Sequence, residues 1–156
     1  RIARLQASSL VSRQLTSTRL ILCASPEYLG RHGTPAHPSE IAQHPVIAYS
    51  LLSMGEQWDF EGPAGLVSVK VTPRMRTNSG DTCCEAALQH QGIVLQPSFL
   101  VGTHLASGAL VEILPQYRSI ELGVYAVYPT RKHLTPKVRT LIDFLVDPFS
   151  MRVWPA

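Results

Sequence analysis

An α/β fold is predicted for this chain from three observations. Short β-rich runs alternate with helical patterns along its length. Val67, Val69 and Val71 alternate with Ser68 and Lys70, the period-two pattern of a half-buried strand. Val138, Leu141, Ile142 and Leu145 fall instead at the three-and-four spacing of one helix face.

Taken in order, residues 11–15 read as a short strand, and 19–24 (RLILCA) as a second, stronger one after Thr16-Ser17. Ser25-Pro26-Glu27 has helix-start chemistry, a capping hydroxyl followed by proline at the first helical position, and Gly30 and Gly33 end that helix. Pro38-Ser39-Glu40 opens another helical turn, which Pro45 stops. Residues 45–50 (PVIAYS) form a buried strand, and two more strands flank the turn at 62–65 (GPAG). A short extended run at 74–77 leads into a helix opened by Asn78-Ser79-Gly80-Asp81. That helix runs to about Gln91, with Gly92 as its left-handed C-terminal residue. Residues 93–95 are an apolar strand ended by Gln96-Pro97-Ser98, and Ser98 is placed to cap the next helix, which reaches Ser107-Gly108. Residues 109–114 and 122–128 are further strands. The last helix starts at Thr135-Pro136-Lys137, buries the four apolar positions named above and ends at Asp147-Pro148; residues 150–156 read as a tail.

Composition narrows the class. The chain has 156 residues, 45% of them hydrophobic and 16% charged, which suits a globular protein with a real core. No apolar run approaches the roughly 20 residues a membrane helix needs, so no membrane partner is expected. The opening RIARLQ leads into no secretory apolar segment. It begins with Arg1 rather than Met, so it is expected to start within a longer reading frame. Net charge is +3, from 14 basic and 11 acidic residues. Arg1, Arg4, Arg13, Arg19, Arg31, Lys70, Arg74 and Arg76 are scattered, and Arg131, Lys132, Lys137 and Arg139 form a looser group near the C-terminus. A DNA-reading surface shows a tighter stripe, so these read as solvated charges. Three cysteines, Cys23, Cys83 and Cys84, argue against a disulfide framework, and reduced thiols point to the cytoplasm.

The most informative segment is the strand-to-helix junction Thr77-Asn78-Ser79-Gly80-Asp81. A helix start leaves backbone N–H groups without partners, and they favour an anion or a carbonyl oxygen. Ser79 or Asn78 caps it, Asp81 suits its dipole, and Gly80 lets a ligand approach the backbone. Plain capping of a surface helix explains the same residues. Gln96-Pro97-Ser98 is a second such junction, and Tyr49-Ser50 ends another strand. In open α/β sheets ligands bind beyond the carboxyl ends of strands, so the three segments can converge on one cleft. Cys83 and Cys84 lie in the first turns after Gly80, where a thiol is either activated by the helix dipole or simply buried; burial is the favoured reading. Six histidines show no i, i+4 pair, and there is no Cys-x-x-Cys, so neither metal nor cofactor is expected. His44 and His104 are candidates to meet a carboxylate in space. Asp59 and Glu61 share one strand face and read as solvated charges. No hydrolase elbow, P-loop or dinucleotide fingerprint is present.

An ordered set of segments resembles LysR-type transcriptional regulators. Residues 19–29 (RLILCASPEYL) with 31–35 (RHGTP) resemble the entry into that family's distal lobe. The helix opening NSGD, then AAL at 86–88 and GIVLQPSFLV at 92–101, resembles its second part. GALVEILP at 108–115, ELGVYAVYP at 121–129 and VRTLIDFL at 138–145 resemble the following strand, the return strand and the C-terminal helix. The resemblance covers residues 1 to about 147. It implies a fold like the type 2 periplasmic binding proteins, two Rossmann-like lobes joined by two crossing strands near 11–18 and 122–128. The distal, effector-binding lobe would be 19–121, and an incomplete proximal lobe would be 1–18 with 122–149. The family's winged helix-turn-helix and first proximal elements would precede Arg1, so DNA would be reached only through that part. An uncovered sheet edge and helix face then favour self-association.

The function expected is therefore the effector-sensing domain of a bacterial LysR-type regulator, not an enzyme. A small anionic or polar metabolite would sit against Asn78, Ser79, Gly80 and Asp81, flanked by Tyr49, Ser50, Gln96, Pro97 and Ser98. Two alternatives stand beside it: an enzyme of the same fold with Cys83 or Cys84 as nucleophile, and a truncated dimerisation fragment.

Overall fold

The computed structural model describes residues 2–3, 11–128 and 135–151. Arg1, Arg4, Arg131, Lys132, His133 and the tail residues 152–156 lie outside them. The described residues fall into two compact units, one of Arg19–Ile120 and one drawn from the segments up to Thr18 and from Glu121 onward.

The larger unit holds the predicted alternation. Strand β2 (Val11–Ala24) enters it at Arg19 and is followed by helix α1 (Pro26–His32) and a 3-10 helix, Pro38–Gln43. Next come β3 (Val46–Tyr49), the hairpin β4 (Gln57–Gly62) and β5 (Gly65–Lys70), and β6 (Pro73–Thr77). Helix α2 (Gly80–Leu88), β7 (Ile93–Pro97), α3 (Ser98–Ala106) and β8 (Val111–Glu112) complete it. The sheet runs β2-β7-β3-β6, with β8 on the other side of β2. β3 is parallel to both β6 and β7, while β2 is antiparallel to β7. The parallel pairs follow from chemistry: β6, α2 and β7 form a strand-helix-strand crossover, the connection that parallel strands require. Helix α2 lies on β3 and β7 and closes a core of Ile21, Cys23, Ile47, Cys83, Cys84, Ala87, Val94, Val101 and Leu110.

The smaller unit contains β1 (Ile2–Ala3), β9 (Glu121–Tyr128), the first part of β2 and α4 (Pro136–Met151). β1 pairs antiparallel with β9, Ile2 opposite Val124. Arg13 of β2 and Asp143 of α4 form an ion pair at 2.7 Å; both are exposed, so it adds little stability.

Several expectations are corrected. Residues 11–24 form one unbroken strand rather than two, because Thr16-Ser17-Thr18 contains no chain breaker and threonine suits extended backbone. The strand expected over 109–114 shrinks to Val111–Glu112, since Leu114 turns left-handed (φ 54°). Ser98 is the first residue of α3 rather than its cap; Pro97 holds that position, with no side-chain capping bond. Helix α2 ends at Leu88 with Gln89 as its C-cap, so the position expected of Gly92 falls to His90 (φ 61°), and Gly92 follows two residues later at φ 155°. Gly92 has another duty. A Cβ there would lie 2.3 Å from the carbonyl oxygen of Pro45, the same oxygen that accepts the Ile93 amide at 2.9 Å.

The last helix also departs from expectation. It runs through Pro148 to Met151, because one missing N–H removes one helical bond without unwinding the final turn. Of its four apolar positions Ile142 is buried and Leu145 half-buried, but Val138 and Leu141 are exposed, as is Phe144.

Gly92→Ala is expected to destabilise the chain by roughly 2–4 kcal/mol, since a backbone oxygen cannot be moved cheaply. Urea denaturation of both proteins checks this; equal midpoints would contradict the close approach.

Candidate functional site

The candidate residues lie at one edge of the larger unit's sheet. β6, β3 and β7 are parallel neighbours, so their carboxyl ends, at Thr77, Tyr49 and Pro97, open on the same side. Tyr49 pairs with Thr77, and the Ser50 amide continues the ladder to the Thr77 carbonyl at 2.9 Å. Carrying the β3–β7 register on from Ile47 and Val94 brings Tyr49 level with Gln96. All three predicted segments are thereby brought together.

The turn into α2 is built by local hydrogen bonds. Thr77 Oγ1 accepts the Ser79 amide at 3.1 Å. Ser79, in extended backbone, is the N-cap: its Oγ accepts the Thr82 amide at 3.2 Å, and its carbonyl accepts that of Cys83 at 3.2 Å. The amides of Gly80 and Asp81 have no helical acceptor, as the geometry of any helix start dictates. Asn78 and Asp81 are exposed, while Ser79 and Gly80 are half-buried.

Gly80 is used differently from the expectation. A Cβ on it would lie 2.5 Å from Leu100 Cδ1 and 3.2 Å from Gln96 Oε1. That side of the glycine is filled by the protein's own side chains, so the missing Cβ serves packing of α3 against α2. A ligand reaches this turn through the amides instead. Gln96 is 1% exposed, and its Nε2 has no hydrogen-bond partner among the described residues. Ser98 is buried, and Tyr49 and Leu100 pack against the core beneath α2.

Both neighbouring thiols are buried. Burial pushes Cys83 up to about 11. It pushes Cys84 up to about 12, helped by Cys83, Asp81 and Glu85. Cys23 is raised as well, by burial first and then by Cys84 and Glu112. Desolvation thus outweighs the helix dipole, and at neutral pH these groups are thiols rather than activated nucleophiles.

A polar network ties α1 to the turn after α2, and no sequence spacing announced it. Ser25 Oγ accepts the Tyr28 amide at 3.2 Å and meets His90 Nδ1 at 2.7 Å, while His90 Nε2 lies 2.9 Å from Glu27. The residue types match a hydroxyl-imidazole-carboxylate relay, but Ser25 is 1% exposed and committed to capping, so the arrangement serves as a tie. His44, a candidate to meet a carboxylate, instead meets the Tyr28 hydroxyl at 2.8 Å; its pKa is lowered by burial and then by His32. Among the described residues it is His90 that meets one, Glu27. Among the described residues no cluster of three or more His, Cys, Asp or Glu is arranged to hold a metal.

The family profile described as LysR substrate binding domain matches residues 1–150. The chain belongs to the LysR substrate-binding domain family. Its relatives include the HTH-type transcriptional regulator DmlR of Escherichia coli (strain K12), 35% identical over 146 residues, covering 92% of this chain and 47% of the relative. The HTH-type transcriptional activator TtdR of the same strain is 32% identical over 136 residues, 86% of this chain and 44% of the relative. This LysR-family chain therefore spans about half the length of the curated relatives it matches. Among solved structures, the full-length virulence activator AphB of Vibrio cholerae superposes with a TM-score of 0.82 at 29% identity, over 96% of this chain and 50% of that one. The regulatory domain of CrgA from Neisseria meningitidis gives 0.80 at 31% identity, over 94% and 72%. The fold is that of these regulatory domains, the periplasmic-binding-protein-like α/β class. The relatives are transcriptional regulators, and no helix of the described residues is long and apolar enough to cross a membrane.

The raised thiols give a signed prediction. Their folded values lie above the unfolded thiol value of about 8.5, so their contribution to stability is whole below that pH and is lost as pH rises through the folded values. Urea midpoints should fall between pH 8 and pH 10.5. Native Cys83 should react with iodoacetamide at pH 8 about a hundredfold more slowly than in urea. Equal labelling rates in the two states would contradict the burial.

Proposed function

We propose that this LysR substrate-binding domain senses a small anionic or polar metabolite at the α2 start, for a transcription regulator whose DNA contacts lie in another part of the parent protein. One observation carries the reading. The unpaired amides of Gly80 and Asp81 stand at the shared carboxyl end of three parallel strands. Tyr49, Ser50, Asn78, Ser79, Gln96, Pro97 and Ser98 surround that turn by their places at the strand ends. In this reading residues 19–121 are the effector-binding lobe and 1–18 with 122–149 part of the proximal one. β2 belongs to both units, which gives binding in one a continuous strand into the other. A ligand changes such a protein only through different affinity for two states. The protein acts by binding rather than catalysis, and reduced, protonated thiols suit a cytoplasmic setting.

A thermal-shift screen of polar and anionic metabolites, followed by amide NMR of the hits, tests the site. Hits are expected to shift Ser50, Ser79, Gly80 and Asp81. Ser79→Asp keeps a capping oxygen but adds a negative charge, so it should retain stability within about 0.5 kcal/mol and weaken anionic hits tenfold or more. Hits mapping to another face would refute the assignment.

Self-association belongs to the same proposal. Leu141 and Phe144 of α4, 56% and 67% exposed, supply apolar surface for it. Light scattering should show mass rising with concentration, reduced by Leu141→Lys with Phe144→Lys; a strict monomer throughout would count against it.

A further inference from the structure

Helix α1 is held at two points by histidines that arrive on neighbouring segments. His44 is the residue before Pro45, and His90 lies two residues before Gly92. Those segments pack together: the Pro45 carbonyl accepts the Ile93 amide at 2.9 Å, and a Cβ on Gly92 would lie 2.3 Å from the same oxygen. From this shared base the side chains reach different residues of α1. His44 Nδ1 meets the Tyr28 hydroxyl at 2.8 Å. His90 meets the Ser25 hydroxyl at 2.7 Å through Nδ1 and Glu27 at 2.9 Å through Nε2. The contacts gather at the amino ends of β3 and β7, and the α2 start follows the carboxyl end of β6, so they stand apart from the effector-site reading.

The two contacts respond oppositely to a proton. His90 Nε2 faces a carboxylate and carries the hydrogen, so neutral His90 accepts from Ser25 through Nδ1. Protonation adds a hydrogen at Nδ1, which Ser25 Oγ accepts beside the Tyr28 amide, and turns the Glu27 contact into an ion pair. Arg31 occupies the other oxygen of Glu27, so His90 keeps its own. His44 gains no such partner. It is surrounded by Tyr28 and His32 of α1 and by Glu40 of the 3-10 helix. Burial and then His32 hold its pKa below the usual histidine range, and Glu40 offsets only part of this. His32 is committed to α1: its ring stacks on Tyr28 at 4.5 Å, and its Nδ1–H donates to the Tyr28 carbonyl at 3.1 Å. A charged His44 is thus half-buried beside a second imidazole that can carry charge.

We propose that the two contacts form a pH-sensitive clamp on α1: at neutral pH both histidines hold it, and on acidification the His44 side lets go while the His90 side tightens. His44 binds its proton less readily in the folded chain than in the unfolded one. Its share of stability is therefore whole above the unfolded value of about 6.5 and is lost as pH falls through the folded value.

Hydrogen exchange on the wild-type chain at about pH 7.5 and about pH 5, corrected for the intrinsic pH dependence of exchange, reads the two sides separately. The His44 amide, bonded to the Ile41 carbonyl at 3.0 Å, reports the first; the Tyr28 amide, bonded to Ser25 Oγ at 3.2 Å, reports the second. On acidification protection at His44 should fall about fivefold or more, while protection at Tyr28 holds or rises. His44→Gln keeps a side chain able to bond the Tyr28 hydroxyl and does not titrate, so protection at residue 44 should be equal at the two pH values. His90→Gln removes the ion pair, so protection at Tyr28 should now fall with pH. Unchanged protection at His44 in wild type, or a parallel fall at both amides, would overturn the clamp, as would an undiminished acid loss at residue 44 in His44→Gln. The two decisive readings are made on wild type, so they hold whether or not either variant folds.

Discussion

β3 is paired in parallel on both sides, with β6 and with β7, and that pairing governs most of what the larger unit does. Parallel neighbours end on the same side, so the turns that follow them are gathered at one edge. The crossover from β6 to β7 must then begin with a helix start at that edge, and Ser79 is the residue that lets it begin there. Its hydroxyl takes one orphan amide and leaves two. The placement of Tyr49, Ser50, Asn78 to Asp81, and Gln96 to Ser98 follows from strand direction before any side chain is considered.

The same edge shows what the fold tolerates. Cys83 and Cys84 sit within the first turns of α2, yet both are drawn into the core, where desolvation suppresses their ionisation. Gln96 does the reverse, holding a polar group in a buried place. The helix start is therefore polar at its mouth and apolar immediately beneath.

What could be read from the sequence was what is local. Ser25-Pro26 and Asn78-Ser79-Gly80-Asp81 open helices through bonds spanning three or four residues, and both openings are found where capping chemistry put them. The hairpin around Pro63-Ala64 was legible for the same reason. Long-range contacts were not. Nothing near Gln96 in the chain tells that its carboxamide lies over Gly80, and nothing near His90 announces Ser25 and Glu27. Gly92 drew attention as a helix terminator, but its neighbour across the sheet, Pro45, is what requires it. Helix α4 marks another limit: its apolar spacing is real, but spacing does not tell how much of the arc is covered.

The central claim is that the amides of Gly80 and Asp81 are unsatisfied in the free protein, at the end of the parallel strands. Residue-resolved hydrogen exchange measures this directly. The account predicts near-unprotected exchange at Gly80 and Asp81, beside protected amides at Thr82 and Cys83, whose bonds to Ser79 hold them. Strong protection at Gly80 and Asp81 without any added ligand would contradict it.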